Sequence, residues 1–449
     1  MPEDIRYPRA LVVDACPFNR NRNNGILKST LFEGWPPDRL AAIDYSNQQP
    51  GFDVCERYWR LTKTDIVRAL CALPPIAGVM AKPRKLAGSA FDPALAFQYE
   101  GRPRLEQKLS FLNGDLRTCL GEVLLAMPAA LSRYLRRWVE AFQPEVLFSI
   151  GGTRYMLRTI GRISAWLGIP LVLYFTDDWM KTAYRSRLGG FVLRPSTDKW
   201  LRACLNAAPI RLTTCEAMAV EYRRRYGGSF EPLMQSVEGS LVNRALVPPP
   251  VHDAVRFVFT GSLAPNRWKS LEAIGKALQD LRGDRLEGEL HIYSMPHEFE
   301  AYGGVFHPLR TVRLAGTARP ADIPSIQRDA DVLVHAEAFD DAARQYTQFS
   351  FSTKIPQYLA AGRCIFAYGP AELASIRYIG DSGTGIAESA ESPGALCNAL
   401  RRIMVDARFR EATGRRAVEL AAQRHDAKTQ RERFRQLMAE AAAAGPPRN

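Results

Sequence analysis

The chain of 449 residues lacks the cysteine patterns that mark disulfide-rich and zinc-binding proteins. Its eight cysteines include no C-x-x-C pair, and several, such as Cys215 and Cys364, lie within apolar runs. This distribution predicts buried, reduced thiols and favours neither a disulfide framework nor a zinc site. Neither a metal ion nor a cofactor is predicted.

Long apolar runs and nucleic-acid-binding motifs are also missing. Apolar runs such as 170–175 have the length of a strand, far below the roughly 20 residues that cross a bilayer. The first residues, MPEDIRYPRA, carry acids early and show no signal-peptide pattern, so we expect a cytoplasmic protein. No zinc finger, RRM-like aromatic motif or helix-turn-helix signature appears, which argues against a nucleic-acid partner.

The composition is that of a globular protein with an uneven charge. With 46% hydrophobic and 24% charged residues, the chain is long enough for two domains. Residues 1–240 carry 33 Lys and Arg against 23 Asp and Glu, whereas the remaining residues carry 27 against 24. A basic half attracts anionic partners such as acidic lipid head groups or phosphorylated substrates. One hypothesis is therefore a basic scaffold on the inner face of the plasma membrane.

Short apolar runs alternate with longer helix-like segments along the chain. Such alternation predicts an α/β protein with parallel sheets and crossover helices. The segment LVNRALVPPPVHDA contains three consecutive prolines and cannot continue a helix. We therefore predict two doubly wound, Rossmann-like domains at 1–240 and 255–420, a linker at 241–254, and a C-terminal helix and tail at 421–449. The predicted strands are 10–16, 40–45, 54–59, 145–150, 171–176 and 211–215 in the first half, and 256–260, 289–294, 311–314, 332–335, 364–368 and 385–388 in the second.

The segment 347–370, TQFSFSTKIPQYLAAGRCIFAYGP, has the order of parts of an anion site. Ser352 and Thr353 lead through Lys354 into a helical pattern, and a strand-like run follows. A helix start exposes unpaired N–H groups and the positive end of the helix dipole, so hydroxyls and a lysine there suit a phosphate. An ordinary helix cap with a solvent-exposed lysine would give the same pattern.

A second basic element follows the first strand of the second half. Gly261 forms part of a turn, and Arg267 and Lys269 open the next helical pattern. Ligands of open α/β sheets bind beyond the carboxyl ends of the strands, so both cations would face the same crevice as Lys354. Solvated charges at a helix start remain the alternative.

These segments resemble the donor-binding domain of GT-B glycosyltransferases of the family 4 type. The resemblance is carried by FVFTGSLAPNRWKS, DADVLVHAEAF and STKIPQYLAAGRCIFAYGP, and in the first half by QPEVLFSIGG, LGIPLVLYFTDDW and IRLTTCEAMAVEYRRRYG. It implies two Rossmann-like domains facing a central cleft. It also implies a metal-independent, retaining hexosyltransferase that moves a sugar from a nucleotide-sugar donor (a UDP- or GDP-sugar) to a glycan or lipid-linked acceptor in cell-surface polysaccharide synthesis.

The resemblance also implies roles for the basic residues. Arg267 or Lys269, together with Lys354, would contact the departing diphosphate, and the Gly261 turn would belong to the same cradle. The hydroxyls of the two residues before Lys354, with nearby backbone N–H groups, would complete it; these are Ser352 and Thr353.

One departure from the family pattern concerns its pair of glutamates eight positions apart. Gln357 stands where the second glutamate falls, and Phe349 stands at the first position. A glutamine can hold one ribose hydroxyl but cannot accept two hydrogen bonds as well as a carboxylate does. A non-catalytic nucleotide- or sugar-binding protein of the same fold is therefore a second hypothesis.

The strand run DVLVHAEAF contributes two further residues. Glu337 is a candidate for catalysis and for contact with the donor sugar, or else a loop carboxylate near Arg344. His335 lies within the apolar run and is interpreted as a hydrogen-bonded core histidine.

Candidate acceptor residues lie in the first half. Asp177 and Asp178 follow the strand run VLYFT and could act as the acceptor-activating base or bind sugar hydroxyls, and Trp179 could stack on a sugar ring. A helix N-cap is the alternative for the aspartates. The loop NRNRNNG, with Asn24 and Gly25, suits sugar or phosphate recognition, or is a surface loop.

Two segments outside the predicted donor and acceptor sites also have predicted contacts, one with a membrane and one with the first domain. Residues 78–118 mix basic and aromatic residues and could lie against a membrane, with Lys82, Arg84 and Lys85 meeting lipid phosphates, or form an irregular insertion. In the resembled family a C-terminal helix returns to the first domain, and Phe434 and Leu437 would supply its apolar contact.

Overall fold

The computed structural model describes residues 6–445 except 21–22, 47, 62–64, 66–72, 77, 81–130 and 184–186. Lys82, Arg84 and Lys85 lie outside the described residues, as does nearly all of the segment predicted to meet a membrane. Among the described residues, no helix combines the length and the hydropathy that a bilayer-spanning segment needs.

Packing divides the chain into two compact units. The first unit consists of Met1–Thr213, Ala219–Pro232 and Arg431–Asn449, and the second of Thr214–Met218 and Leu233–Gln430. The predicted linker at 241–254 lies wholly within the second unit. The reason is that its polar groups are bonded there: the amide of Asn243 donates to the carbonyl of Ala360 at 2.7 Å.

The first unit contains a sheet of eight strands in the order β4-β3-β2-β1-β5-β6-β7-β8. Only the β3–β4 pair is antiparallel. Buried Val, Leu, Ile and Phe fill the central strands because both faces of a parallel sheet are covered. The strands are β1 (Ala10–Asp14), β2 (Leu40–Asp44), β3 (Arg57–Arg60), β4 (Gly78–Met80), β5 (Val146–Ser149), β6 (Leu171–Phe175), β7 (Ile210–Thr213) and β8 (Glu231–Pro232).

The second unit contains a sheet of six parallel strands in the order β11-β10-β9-β12-β13-β14. Numbered within the unit, this is the order 3-2-1-4-5-6 of a dinucleotide-binding fold, in which successive strands are added on one side of strand 1 and then, from strand 4, on the other side. The strands are β9 (Val255–Thr260), β10 (Gly288–Tyr293), β11 (Val312–Gly316), β12 (Val332–Ala336), β13 (Cys364–Tyr368) and β14 (Gly385–Glu388).

Helices connect the strands on both faces of the sheets. In chain order they are α1 (Asn23–Leu31), α2 (Arg133–Phe142), α3 (Arg154–Leu167), α4 (Trp179–Thr182), α5 (Arg187–Asn206), α6 (Glu216–Tyr226), α7 (Arg267–Gly283), α8 (Pro296–Tyr302), α9 (Ile323–Arg328), α10 (Asp341–Thr347), α11 (Lys354–Ala361), α12 (Ala374–Ser382), α13 (Pro393–Val405), α14 (Ala407–Arg424) and α15 (Ala427–Ala443).

The predicted α/β fold with two doubly wound sheets is confirmed. Each predicted strand segment overlaps an observed strand, and the bounds of β13 and β14 are the predicted ones. Two short strands, β4 and β8, were not predicted, because three and two residues are too few to show alternation.

The C-terminal helix closes the aromatic core of the first unit. The ring of Phe434 lies 4.9 Å from that of Phe32, 5.4 Å from that of Phe148 and 6.3 Å from that of Trp35, measured between centroids. Phe434 and Leu437 are both buried, so the predicted apolar contact of this helix with the first unit is confirmed.

Candidate active site

The loops after β9 and β12 meet at one edge of the second sheet. The two strands are neighbours, and β9 pairs with β10 on its other side, so this edge is the switch point where open α/β folds bind ligands. Helix α11 is attached there because the hydroxyl of Tyr358 accepts a hydrogen bond from the amide of Thr260 at 3.2 Å. This bond places the first residue of α11, Lys354, beside the loop that begins at Gly261.

Lys354 presents a half-buried amine that lacks an anionic partner. Its Nζ lies 4.4 Å from the ring centroid of Phe259, and within the described part of the chain it has neither an ion pair nor a hydrogen-bond acceptor. Burial, aided by the positive charge of Arg267, lowers the pKa of Lys354 to about 7, although Glu337 and Glu298 oppose the shift. An anion at this position would restore the charge of the amine.

Gly261 gives the amine its space. A Cβ atom at this position would lie 2.7 Å from Nζ of Lys354 and 3.1 Å from its Cδ. The backbone φ of +138° also belongs to the region that side-chain-bearing residues rarely adopt. The backbone therefore favours glycine here, and a side chain at this position would push the amine of Lys354 aside.

Arg267 and Glu337 form a two-pronged ion pair next to this amine. Nε and Nη2 of Arg267 donate to the two carboxylate oxygens of Glu337 at 3.0 and 3.1 Å. Burial raises the pKa of the Glu337 carboxyl, but the charges of Arg267, His335 and Lys354 outweigh it, so the net pKa is lowered. The carboxylate is ionised, and the guanidinium is neutralised by it. Glu337 is thus a buried partner of Arg267 and does not face Arg344, which pairs with Glu372.

His335 is fully buried beneath this pair. Its Nε2 lies 3.6 Å from Oε1 of Glu337, too far for a hydrogen bond, and neither ring nitrogen has a partner within the described residues. Burial, together with the charges of Lys354 and Arg267, lowers the pKa of His335 to about 4, so the ring is neutral. The interpretation as a core histidine is right about burial and wrong about hydrogen bonding.

Glu298 holds the loop after β9 and was not predicted. It accepts hydrogen bonds from the hydroxyls of Ser262 and Ser294 and, at 3.1 Å, from the amide of Leu263. Burial raises its pKa, but these hydrogen bonds prevail and lower it. A sequence signal did exist, since Ser294 and Glu298 directly follow β10 and so lie at the same sheet edge.

Two further donor-site candidates, Lys269 and Gln357, lie apart from these contacts. Lys269 does not join the cluster: its Nζ lies 5.5 Å from the ring centroid of Trp268, and its charge acts on Asp340. Gln357 lies on α11, half-buried, with no hydrogen bond to its amide group among the described residues.

The start of α11 offers fewer free backbone donors than predicted. Ser352 accepts the amide of Lys354 through its hydroxyl at 3.3 Å and the amide of Ile355 through its carbonyl at 3.1 Å. Pro356 has no amide hydrogen. The side chain of Thr353, at the N-cap, makes no capping bond. Side chains therefore carry most of the positive potential here.

In the first unit, Asp178 is a structural residue. It is fully buried and accepts hydrogen bonds from Nη1 and Nη2 of Arg225 at 2.8 and 2.9 Å and from the hydroxyl of Tyr222 at 3.2 Å. A carboxylate enclosed in this way cannot reach a substrate hydroxyl. The prediction that Asp178 opens toward a binding site as a catalytic base is wrong, because Arg225 and Tyr222 of helix α6 enclose its carboxylate.

Asp177 and Trp179, on either side of Asp178, are partly exposed. Oδ2 of Asp177 accepts a hydrogen bond from the hydroxyl of Thr176 at 3.2 Å. The indole N–H of Trp179 is buried without an acceptor among the described residues, close to Gly151. These two residues remain candidates for the acceptor side.

The loop NRNRNNG is shorter than predicted, because α1 begins at Asn23. Asn24 lies half-buried in its first turn. Gly25 is buried, and a Cβ atom there would lie 2.1 Å from Nδ2 of Asn19. Gly25 therefore serves the packing of the helix start and does not present a binding turn.

The part of the chain that the structure describes contains no cluster of His, Cys, Asp and Glu suited to a metal ion. The switch-point cluster brings two cations, Arg267 and Lys354, together with Glu337 and His335 around Gly261.

Comparison with known proteins shows the fold. No protein-family model matches the sequence, and no curated protein matches it. Solved structures match over nearly the whole chain. HepE of Anabaena, in complex with UDP, is 13% identical with a TM-score of 0.61, covering 97% of this chain and 100% of that one. Sucrose-phosphate synthase of Thermosynechococcus elongatus is 14% identical with a TM-score of 0.63, covering 97% and 100%. WaaG, a glycosyltransferase involved in lipopolysaccharide biosynthesis, is 11% identical with a TM-score of 0.55, covering 96% and 99%. The chain has the fold of the GT-B glycosyltransferases.

Proposed function

We propose that this protein is a glycosyltransferase whose second unit binds a nucleotide-sugar donor. The observation that carries the proposal is the amine of Lys354, which has no anionic partner among the described residues and is held against Gly261 at the switch point of a sheet with dinucleotide-binding strand order. The fold agrees, since HepE, which shares it, binds UDP and UDP-glucose.

The chemistry of the site suits the departure of a nucleoside diphosphate. When the bond between sugar and diphosphate breaks, negative charge grows on the diphosphate oxygens, and fixed cations stabilise that charge. Lys354 and Arg267 supply these cations from the protein, so the reaction does not call for a metal ion. The hydroxyls of Ser352 and Thr353 are further donors, and Gln357 is placed on α11 to hold a ribose hydroxyl.

For the acceptor we propose a glycan or a lipid-linked glycan, in cell-surface polysaccharide synthesis with retention at the transferred sugar. Support comes from the family 4 resemblance and from WaaG, which shares the fold and is involved in lipopolysaccharide biosynthesis. Asp177 and Trp179 are the proposed acceptor contacts, with Asn24 a further candidate. A cytoplasmic location, at the inner face of the plasma membrane, fits such an acceptor.

A panel of nucleotides and nucleotide sugars tests the donor assignment. Thermal unfolding is measured with UDP, GDP, ADP and dTDP, and release of nucleoside diphosphate is measured with the corresponding sugars. We expect the nucleoside diphosphate with one particular base to raise the unfolding temperature. The nucleotide sugar with the same base should be hydrolysed slowly or should transfer its sugar. If no nucleotide stabilises the protein and no sugar is turned over, the proposal is wrong.

A nucleotide-binding protein without transferase activity is the second candidate. It is favoured by Gln357, which has a glutamine amide where the resembled family has a carboxylate. Stabilisation by a nucleoside diphosphate, with no turnover of its sugars in the presence of membrane-derived glycolipid acceptors, would support this candidate. The basic membrane scaffold remains as the third, and it predicts binding to anionic liposomes without any response to nucleotides.

Replacing Gly261 with alanine should weaken nucleotide binding more than it destabilises the fold. The added Cβ displaces the amine of Lys354, and the positive φ adds strain of about 1 to 3 kcal/mol. We expect a loss of at least about tenfold in nucleoside diphosphate affinity, as one charge-assisted contact is lost. Titration calorimetry measures the affinity, and urea unfolding measures the stability.

Gly283→Ala is the matched control for this change. It stands at the end of α7, and no heavy atom lies within 4 Å of the position that its Cβ would take. Its affinity for the nucleotide should equal that of the wild type. If Gly261→Ala and Gly283→Ala bind the nucleoside diphosphate with equal affinity, Lys354 does not contact the nucleotide.

A further inference from the structure

The side chain of His335 is the least satisfied polar group near the site. It is fully buried on β12, and both of its ring nitrogens lack hydrogen-bond partners within the described residues. Leaving a buried polar group unpaired costs about 1 to 3 kcal/mol, so such a group calls for an explanation. Oε1 of Glu337 lies 3.6 Å from Nε2.

Glu337 is held away from His335 by Arg267. Both oxygens of the Glu337 carboxylate are bonded to the guanidinium, at 3.0 and 3.1 Å. The same guanidinium, beside Lys354, is one of the two cations proposed above to bind the diphosphate. Arg267 therefore has two competing anionic partners, one present in the protein and one that arrives with the donor.

If the donor diphosphate binds Arg267, the carboxylate of Glu337 loses the guanidinium that neutralises it. A buried carboxylate that loses a two-pronged ion pair, and then lies close to a diphosphate, is strongly disfavoured. His335 lies on β12 two residues before Glu337, which directly follows that strand, and a shift of less than 1 Å would bring Nε2 and Oε1 within hydrogen-bond distance.

On the basis of the proposed function, we propose that His335 is a positioning residue for the donor site. When the diphosphate binds the guanidinium of Arg267, the carboxylate of Glu337 loses that partner and pairs with His335 instead. The imidazole of His335 gains one proton from solvent and becomes the cation of this new ion pair. The exchange keeps the charge of the buried cluster balanced and frees Arg267 for the donor.

The direction of the proton movement follows from the charges that act on His335. In the free protein, burial and the cations Lys354 and Arg267 hold its pKa near 4, and only Glu337 favours protonation. A bound diphosphate neutralises both cations and leaves Glu337 as the dominant charge, so protonation becomes favourable. Binding therefore takes up protons, and affinity falls as pH rises through the range in which this proton is gained.

Titration calorimetry in buffers of different ionisation enthalpy measures the proton uptake. The titrant is the nucleoside diphosphate that binds in the thermal panel, with UDP tested first. At about pH 6, Lys354, with its pKa near 7, is already mostly protonated in the free protein, so uptake reports mainly on His335. The ionisation of the nucleotide itself cancels between variants.

We expect His335→Gln to take up fewer protons than the wild type, by about half to one proton per bound nucleotide at pH 6. Glu337→Gln, which removes the partner carboxylate, should lose the same uptake, so the test survives if one variant fails to fold. His291→Gln is the control, because His291 pairs with Glu289 on β10 and is not among the groups that act on His335 or Lys354.

The outcomes separate the two proposals. Nucleotide binding with equal proton uptake by the wild type, His335→Gln and Glu337→Gln would overturn the role of His335 and leave the proposed function standing. Failure of every nucleoside diphosphate to bind the wild type would overturn the proposed function, and this inference with it. Reduced uptake in both variants with normal uptake in His291→Gln supports the exchange.

Discussion

Lys354→Ala is expected to lower turnover by about 100- to 1,000-fold, the effect of removing one preorganised donor from a developing oxyanion. The amine has no partner in the described protein that the substitution would leave unpaired, so folding should not suffer. Steady-state release of nucleoside diphosphate from the preferred nucleotide sugar measures the effect. The loss should fall on kcat as well as on KM, because the negative charge grows in the transition state.

Lys276→Ala is the control for this substitution. Lys276 lies on α7 and is paired on the surface with Glu272, so its removal should leave turnover and stability within the range of ordinary surface changes. Unchanged kinetics in Lys354→Ala would exclude Lys354 from the reaction and would leave the switch-point cluster without its central cation.

The amine also gives donor binding a pH dependence. Lys354 has a pKa of about 7 in the free protein, so above this pH a growing fraction must gain a proton before it can pair with a diphosphate. Affinity should therefore fall as pH rises from about 7 to 9. The stability of the free protein changes in the opposite direction: because the pKa is depressed from the ordinary 10.5, the charged amine opposes folding, and this penalty shrinks as pH rises between these two values.

Asp178→Asn should destabilise the first unit, with a loss of about 3 kcal/mol or more in the free energy of unfolding. The substitution leaves the guanidinium of Arg225 without its two-pronged buried partner, although Glu221 continues to pair with it. Urea unfolding followed by tryptophan fluorescence measures the change, since Trp179 is the adjacent residue.

Asp177→Asn is the comparison, because Asp177 is partly exposed and its removal should cost less than about 1 kcal/mol. A variant at Asp178 that keeps full stability and loses only turnover would restore the catalytic role that the sequence suggested and the structure contradicts.

The success and failure of the sequence predictions have local causes. Strands β9, β12 and β13 are short runs made mostly of apolar residues, and a run of this kind is visible without knowledge of its neighbours. The convergence of Arg267 on Lys354 was predictable from the rule that loops at the carboxyl ends of parallel strands share one edge. The failure of Lys269 to join them was not, since it depends on the rotation of α7.

Residues with distant partners could not be interpreted in the same way. Asp178 meets Arg225 across 47 positions, and Arg267 meets Glu337 across 70. Nothing local to Asp178 distinguishes it from Asp177, although one is enclosed and the other is not. The two unpaired nitrogens of His335 are a property of its surroundings and carry no signal in the sequence.

The position of Phe434 in the first unit has a consequence for biosynthesis. Phe32, Trp35 and Phe148 are synthesised well before Phe434, whose ring covers them. The nascent first unit therefore carries an uncovered aromatic surface while nearly 300 further residues are added. Such a surface invites premature association with other nascent chains or with a chaperone, and the packing of helix α15 ends that exposure.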